Sequence, residues 1–277
     1  IISGDLIEKV DGISSEKLGL ANTASKLRGE SGTKVLVEIS SESGEIREID
    51  LERRSVDLRP VRTKRLRDDS HTIGYLRITQ FSESVPKKVE EALQELKEKE
   101  VEGLILDLRN NSGGLVSSGI AVADSLLSEK PIVETKNRNG IKDAITSQKE
   151  TSYDGPMVTL VNKGTASASE ILAGSLQDNG RSTLLGEQTY GKGLIQSLKS
   201  LGENSGVAIT VASYLTPKGN NIQGQGITPD KLLDLPDASD YGSAEDKWVR
   251  NAELFLDSFL EKEEVSIQTP EISNEEI

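Results

Sequence analysis

From residue 59 onward the chain alternates short apolar runs with segments whose apolar residues recur at helical spacing. Ile73–Ile78, Leu104–Leu108, Met157–Val161 and Val207–Leu215 are runs of strand length. Between them, Val89, Ala92, Leu93 and Leu96 fall on one face of a helix with Pro86 near its start. Ser117–Leu127 and Ser167–Asp178 read as two further helices, the second stopped by Gly180. This alternation predicts an α/β core. The first 58 residues carry a different pattern. A strand is expected around Leu6, Ile7 and Val10, a short helix over Ala21–Arg28 and a strand over Val35–Ile39. A hairpin turn at Ser41-Glu42-Ser43-Gly44 then leads to Ile46, Ile49 and Leu51. At the other end, Trp248, Ala252, Phe255 and Phe259 share one face of a helix capped by Ser243, and the residues after 264 are acidic, polar and expected to be disordered.

Composition narrows the function classes. A chain of 277 residues supports two modest domains. No stretch approaches the ~18 apolar residues that a membrane-spanning helix needs. The net charge of −13 is concentrated at one end: residues 237–277 hold 12 acidic and 3 basic side chains, so −9 of it lies there. The acidic balance argues against a nucleic-acid partner. The cluster Arg59, Arg62, Lys64, Arg65 and Arg67 reads instead as a solvated connection between domains. With no cysteine, the chain fits an oxidising or a reducing compartment equally.

The residue inventory also constrains any hydrolytic chemistry. There is no thiol, and the one histidine, His71, sits in the polar stretch Arg67-Asp68-Asp69-Ser70, which reads as an exposed connection. A serine nucleophile with a lysine base is the arrangement that remains. Ser167 in Gly164-Thr165-Ala166-Ser167-Ala168-Ser169-Glu170 and Lys192 in Tyr190-Gly191-Lys192-Gly193 are the candidates. Ser167 and Glu170 also form an S-x-x-E capping box, so the serine has a purely structural reading as well. A serine at a helix start lies beside unpaired backbone N–H groups, where a developing oxyanion is stabilised. The glycines flanking Lys192 allow close approach to another segment, which a solvated lysine does not need. Gly186–Lys192 mimics a P-loop, but its eighth position is Gly193, which has no hydroxyl for magnesium. A third segment, Leu104–Leu108 followed by Arg109-Asn110-Asn111-Ser112-Gly113-Gly114, reads as a buried strand entering a glycine-rich loop. Its paired glycines suit either exposed N–H donors or a tight turn.

Taken in order, GDLIEKVDG at 4–12, LRGESGTKV at 27–35, DLRNNSGG at 107–114, GTASASEI at 164–171, GEQTYGKGLIQS at 186–197 and TPKGNNIQGQGITPD at 216–230 resemble the carboxyl-terminal processing (tail-specific) peptidases. The wording is most like the cyanobacterial and plastid branch. The resemblance implies an α/β protease core with the crotonase-like spiral of ββα units and an N-terminal PDZ domain. On that reading residues 1–58 are a PDZ domain, 59–236 the peptidase core, 237–264 a C-terminal helical segment and 265–277 a disordered tail. The PDZ carboxylate-binding loop would precede Ile1, so the chain is expected to be a fragment.

The resemblance further implies Ser167 as nucleophile, Lys192 as general base and Gln196 as the amide that holds the lysine. Backbone N–H groups of Gly113 and Ala168 would form the oxyanion hole. A lysine base must be neutral, which calls for burial. The implied partners are protein or peptide substrates with a free C-terminus, and the implied location is extracytoplasmic, in the periplasm or the thylakoid lumen. No metal or organic cofactor is implied. A photosystem II reaction-centre precursor is the substrate the branch suggests. Two other classes remain open: a non-catalytic binding protein on the same folds, and a crotonase-type enzyme acting on coenzyme A thioesters.

Overall fold

A computed structural model describes residues 1, 5–41, 43–54, 59–67, 71–140, 142–148, 150–202, 205–234 and 240–268. The chain divides into two compact units, Ile1–Leu58 and Arg59–Ile277.

The first unit consists of β1 (Leu6–Val10), β2 (Ile13–Ser14), α1 (Ser15–Leu27), β3 (Lys34–Ser40) and β4 (Ile46–Glu52). Its strands form one antiparallel sheet in the order β2-β1-β3-β4. β3 alternates strictly, with Val35, Val37 and Ile39 buried beside Val10, as expected of a strand with one face on a core. The helix begins six residues before Ala21, the start read from the sequence. It kinks at Gly19, whose φ of 71° lies outside the helical range and breaks the apolar period.

The second unit begins with β5 (Val61–Arg67), β6 (Thr72–Ile78), α2 (Val85–Glu98), β7 (Gly103–Asp107) and α3 (Val116–Leu126). It continues through β8 (Pro131–Asn137), β9 (Lys142–Thr146), β10 (Met157–Val161), α4 (Ala168–Asp178) and β11 (Thr183–Gly186). It ends with β12 (Leu194–Gly202), β13 (Ser205–Leu215), β14 (Lys231–Leu232) and α5 (Lys247–Gln268). A six-stranded sheet runs β14-β11-β10-β7-β6-β5, parallel throughout except for β5, which pairs antiparallel with β6. A second, antiparallel sheet runs β12-β13-β8-β9.

The parallel sheet is covered on both faces, which is why its strands read as unbroken apolar runs. On one face Leu76, Ile78, Leu104 and Leu106 pack with α2, α3 and α4. On the other, Ile73, Tyr75, Ile105, Val158 and Leu160 pack with Trp248, Val249, Ala252 and Leu256 of α5.

Four local expectations change. The basic cluster is no linker: Arg62, Lys64, Arg65 and Arg67 belong to β5, an edge strand from which Arg62, Lys64 and Arg65 reach solvent. His71 is not exposed. It is 8% accessible and its Nδ1 lies 3.1 Å from Asp257 Oδ1 on α5, so the C-terminal helix supplies its partner. The cap of α5 is Asp246 rather than Ser243, since Asp246 Oδ1 accepts the N–H groups of Trp248 (3.2 Å) and Val249 (3.4 Å). The helix runs on to Gln268, past residue 264, and the remainder of the expected tail, 269–277, lies outside the described residues.

Candidate active site

Three segments named from the sequence leave the carboxyl ends of three adjacent parallel strands. The loop 108–114 follows β7, the turn to Ser167 follows β10, and the stretch to Lys192 follows β11. Ligand sites of parallel sheets form in this place, where successive loops converge.

Ser167 sits between β10 and α4 with φ 59° and ψ −118°, a conformation that L-residues rarely adopt. Such a residue costs on the order of 1–3 kcal/mol and persists only where its surroundings over-determine it. They do here. Thr165 Oγ1 donates to Leu108 O (2.9 Å), Ala166 N to Asn111 O (3.0 Å) and Tyr190 N to Thr165 O (3.0 Å). Ser169, two residues on, is fully buried and donates its hydroxyl to Asn111 O at 2.9 Å. It is therefore unavailable as a nucleophile. Ser167 keeps partial exposure.

The S-x-x-E box forms, but Glu170 does more than cap. Its side chain is completely buried. Oε2 accepts the backbone N–H of Ser167 and that of Lys192, each at 2.8 Å. Oε1 accepts Thr189 Oγ1 and Gly191 N, each at 2.6 Å. Four donors thus satisfy one buried carboxylate without a cation. Sequence reading saw only the cap, because the other three donors lie 19 or more positions downstream.

The segment around Lys192 is pressed against residues 222–226. A Cβ on Gly193 would come within 2.5 Å of Gln223 N, and one on Gly191 within 2.9 Å of Gly226 N. The glycines serve this close approach, as the sequence pattern suggested. The chain then enters strand β12 rather than a helix, so the P-loop likeness is accidental.

Lys192 and Gln196 line a cleft of about 520 Å³ together with Ser112, Ala166, Tyr190 and Leu194. Both side chains are exposed in it, whereas a lysine base calls for burial. Among the described residues, no hydrogen bond joins Lys192 Nζ to Ser167 or to Gln196. The backbones of Ser167 and Lys192 are fixed together, but their side chains are not engaged.

Gly113 lies directly against the serine. A Cβ there would stand 2.8 Å from Ser167 Cβ and 3.1 Å from Ala168 N. Its φ of 99° also demands glycine. Its N–H donates to Asn111 Oδ1 at 3.0 Å. Ala168 is the first residue of α4, where backbone N–H groups have no intrahelical acceptor. Gly114 is packed elsewhere: a Cβ on it would collide with Phe81 O at 2.0 Å.

Behind this loop lies a buried ionic cluster that sequence reading did not single out. Asp107 and Arg109 are both inaccessible and paired, Arg109 Nη2 donating to Asp107 Oδ2 at 2.6 Å. Arg109 also grips Asp246, through Nη1 at 3.1 Å and Nη2 at 2.6 Å. Tyr75 donates to Asp107 at 2.7 Å, and Arg77 pairs with Asp107 at 2.9 Å. Burial opposes charge on Asp246. The Arg109 guanidinium and the Gly242 N–H outweigh it and hold the carboxyl below its usual range. Burial likewise works against the Arg109 charge, and its two carboxylate partners more than restore it. Burial beside Asp107 pushes the Tyr75 phenol well up, which keeps it a neutral donor. The available signal was a pair of opposite charges flanking Leu108 at the end of an apolar run.

The sequence profile of peptidase family S41 matches residues 72–233. A carboxyl-terminal-processing protease of Synechocystis sp. is 47% identical over 236 residues, covering 84% of this chain and 55% of that protein. The chloroplastic carboxyl-terminal-processing peptidase 2 of Arabidopsis thaliana is 40% identical over 241 residues, covering 84% of this chain and 46% of its own length. Among solved structures, a photosystem II D1 C-terminal processing protease superposes with a TM-score of 0.68 at 37% identity, covering 83% of this chain and 63% of that one. The chain spans about half the length of the curated relatives it matches. By profile, identity and fold together, this chain belongs to peptidase family S41.

Proposed function

We propose that this protein is a serine endopeptidase that cleaves near the C-terminus of protein substrates, with Ser167 as nucleophile and Lys192 as general base. The observation that carries the reading is the shared carboxylate oxygen of Glu170, which ties the backbone of a strained serine to that of the lysine. Neutral Lys192 takes the proton of Ser167 Oγ as the oxygen attacks the scissile carbonyl. The tetrahedral oxyanion is received by the N–H groups of Ala168 and Gly113. At Gly113 it replaces Asn111 Oδ1, because a charged acceptor outcompetes an amide oxygen. Lysine then returns the proton to the leaving amine, and water activated by the same amine hydrolyses the acyl-enzyme.

The Lys192 side chain is exposed to water, and it engages Ser167 when substrate fills the cleft and excludes water from it. Gln196 lines the same cleft and accepts from the amine without restoring a stabilising negative charge. Ala166, Tyr190 and Leu194 give the cleft an apolar wall suited to small apolar side chains.

Residues 1–58 serve on this reading as the greater part of a PDZ domain that recognises the free tail by strand addition. The names of the chloroplastic and photosystem II relatives favour an extracytoplasmic location, the thylakoid lumen or the periplasm, and a photosystem II precursor as substrate. Among the described residues, no helix is long and apolar enough to cross a membrane.

The test compares an internally quenched peptide bearing a free apolar C-terminus with its C-terminal amide, in the intact protein and in Ser167→Ala. Cleavage of the acid in preference to the amide, lost in Ser167→Ala, is the expected result. Equal cleavage of acid and amide removes tail recognition. Cleavage by Ser167→Ala removes the mechanism.

A further inference from the structure

The cluster behind the glycine loop reaches across the chain to the segment that starts α5. Asp246 is 1% exposed and accepts five hydrogen bonds: two from Arg109, and one each from Gly242 N (2.9 Å), Trp248 N and Val249 N. Tyr241 completes the contact. Its ring lies 3.8 Å from the Arg77 guanidinium and 4.7 Å from that of Arg109, and its hydroxyl accepts from Asn110 Nδ2. Arg77 Nη2 in turn holds the carbonyl of Arg109 at 3.1 Å. Side chain and backbone of the first loop residue are therefore both fixed. Four positions later the same turn presents Gly113 against Ser167, with no room for a methyl group between them.

Buried ion pairs of this kind are weak devices for stability, because desolvation consumes most of the attraction. They are effective at fixing geometry. A turn whose glycine must meet an oxyanion within hydrogen-bond distance is sensitive to ångström-scale displacement, which can cost about a hundredfold in rate. We propose that Asp246 is a positioning residue for acyl transfer. Acting through Arg109, it sets the depth of the 109–114 turn, so that Gly113 and Ala168 converge on one oxyanion. The segment Asp240–Trp248 is then a working part of the active site rather than a trailing helix cap. This proposal rests on the Ser167 mechanism above.

The experiment measures kcat and KM separately on the quenched peptide for Asp246→Asn and Asp246→Glu in the intact protein, beside Ser167→Ala. Trp248 is the chain's only tryptophan and is 1% exposed, so its emission and acrylamide quenching report whether α5 stays docked. Asparagine keeps an acceptor for the helix cap but turns an N–H group toward Arg109. The expected result for Asp246→Asn is a fall in kcat of about ten- to a hundredfold. KM should stay within about twofold, with Trp248 unshifted and part of kcat recovered in Asp246→Glu.

Asp257→Asn supplies the control, since Asp257 anchors the same helix through His71 without touching the loop. It should leave kcat unchanged. Unchanged kcat in Asp246→Asn overturns the proposal. So does a loss that tracks exposure of Trp248, or an equal loss in Asp257→Asn. Should Asp246→Asn fail to fold, Asp246→Glu carries the test, and full kcat there overturns the proposal. Hydrolysis by Ser167→Ala would instead overturn the underlying mechanism, and this inference with it.

Discussion

Ser167 and Lys192, 25 positions apart in the chain, donate their backbone N–H groups to the same oxygen, Glu170 Oε2, each at 2.8 Å. One carboxylate thereby sets both the strained turn of the serine and the point from which the lysine side chain departs. The two residues are registered through the main chain.

Glu170→Gln should therefore damage activity and stability together. An amide has one acceptor oxygen and turns its NH₂ toward donors, leaving buried N–H groups unpaired at a cost of roughly 1–3 kcal/mol. Urea unfolding should show a lower midpoint, and kcat/KM should fall at least tenfold. A variant with wild-type midpoint and rate would remove Glu170 from the site.

Ser167→Gly separates strain from chemistry. Glycine adopts φ 59° and ψ −118° without penalty, so the variant should be as stable as the parent or slightly more so while losing all hydrolysis. Ser169→Ala loses one buried hydrogen bond, about 1 kcal/mol, and should remain reactive toward a fluorophosphonate. Labelling of Ser167→Gly at position 169 would reverse that assignment.

Lys192→Arg should be inactive rather than slow, since a guanidinium cannot give up its proton near neutral pH. His71→Ala should lower the melting temperature through loss of its contact with Asp257 and leave kcat/KM in place. A folded but inactive His71→Ala, beside an active Lys192→Ala, would exchange lysine for histidine as the base.

Acid should destabilise the unit that holds the C-terminal helix. Asp246 has its carboxyl held below the usual range in the folded state, so its contribution to stability is present above the ordinary carboxylate range. That contribution is lost as pH falls through the depressed folded value. The urea midpoint of the intact protein should fall in that window, and less steeply in Asp246→Ser, which lacks the titrating carboxyl but keeps a capping oxygen. The same pH dependence of the midpoint in the two proteins would show that Asp246 does not supply it.

Much of this protein was legible in its sequence because the responsible physics is local. Strands buried on both faces must be unbroken apolar runs, so β6, β7 and β10 announce themselves. The apolar face of α2 and the glycines around Lys192 were likewise visible from spacing and from the absence of Cβ atoms. The short strands β11 and β14 were not, since each is defined by its neighbour in the sheet and carries little pattern of its own.

What only the tertiary structure decided is which distant groups meet. The burial of His71, the four donors on Glu170 and the grip of Arg109 on Asp246 join residues from 3 to 186 positions apart, and no local period encodes them. The reason is energetic. A charged or polar side chain looks solvated in sequence, and it can be buried only where folding delivers its partners.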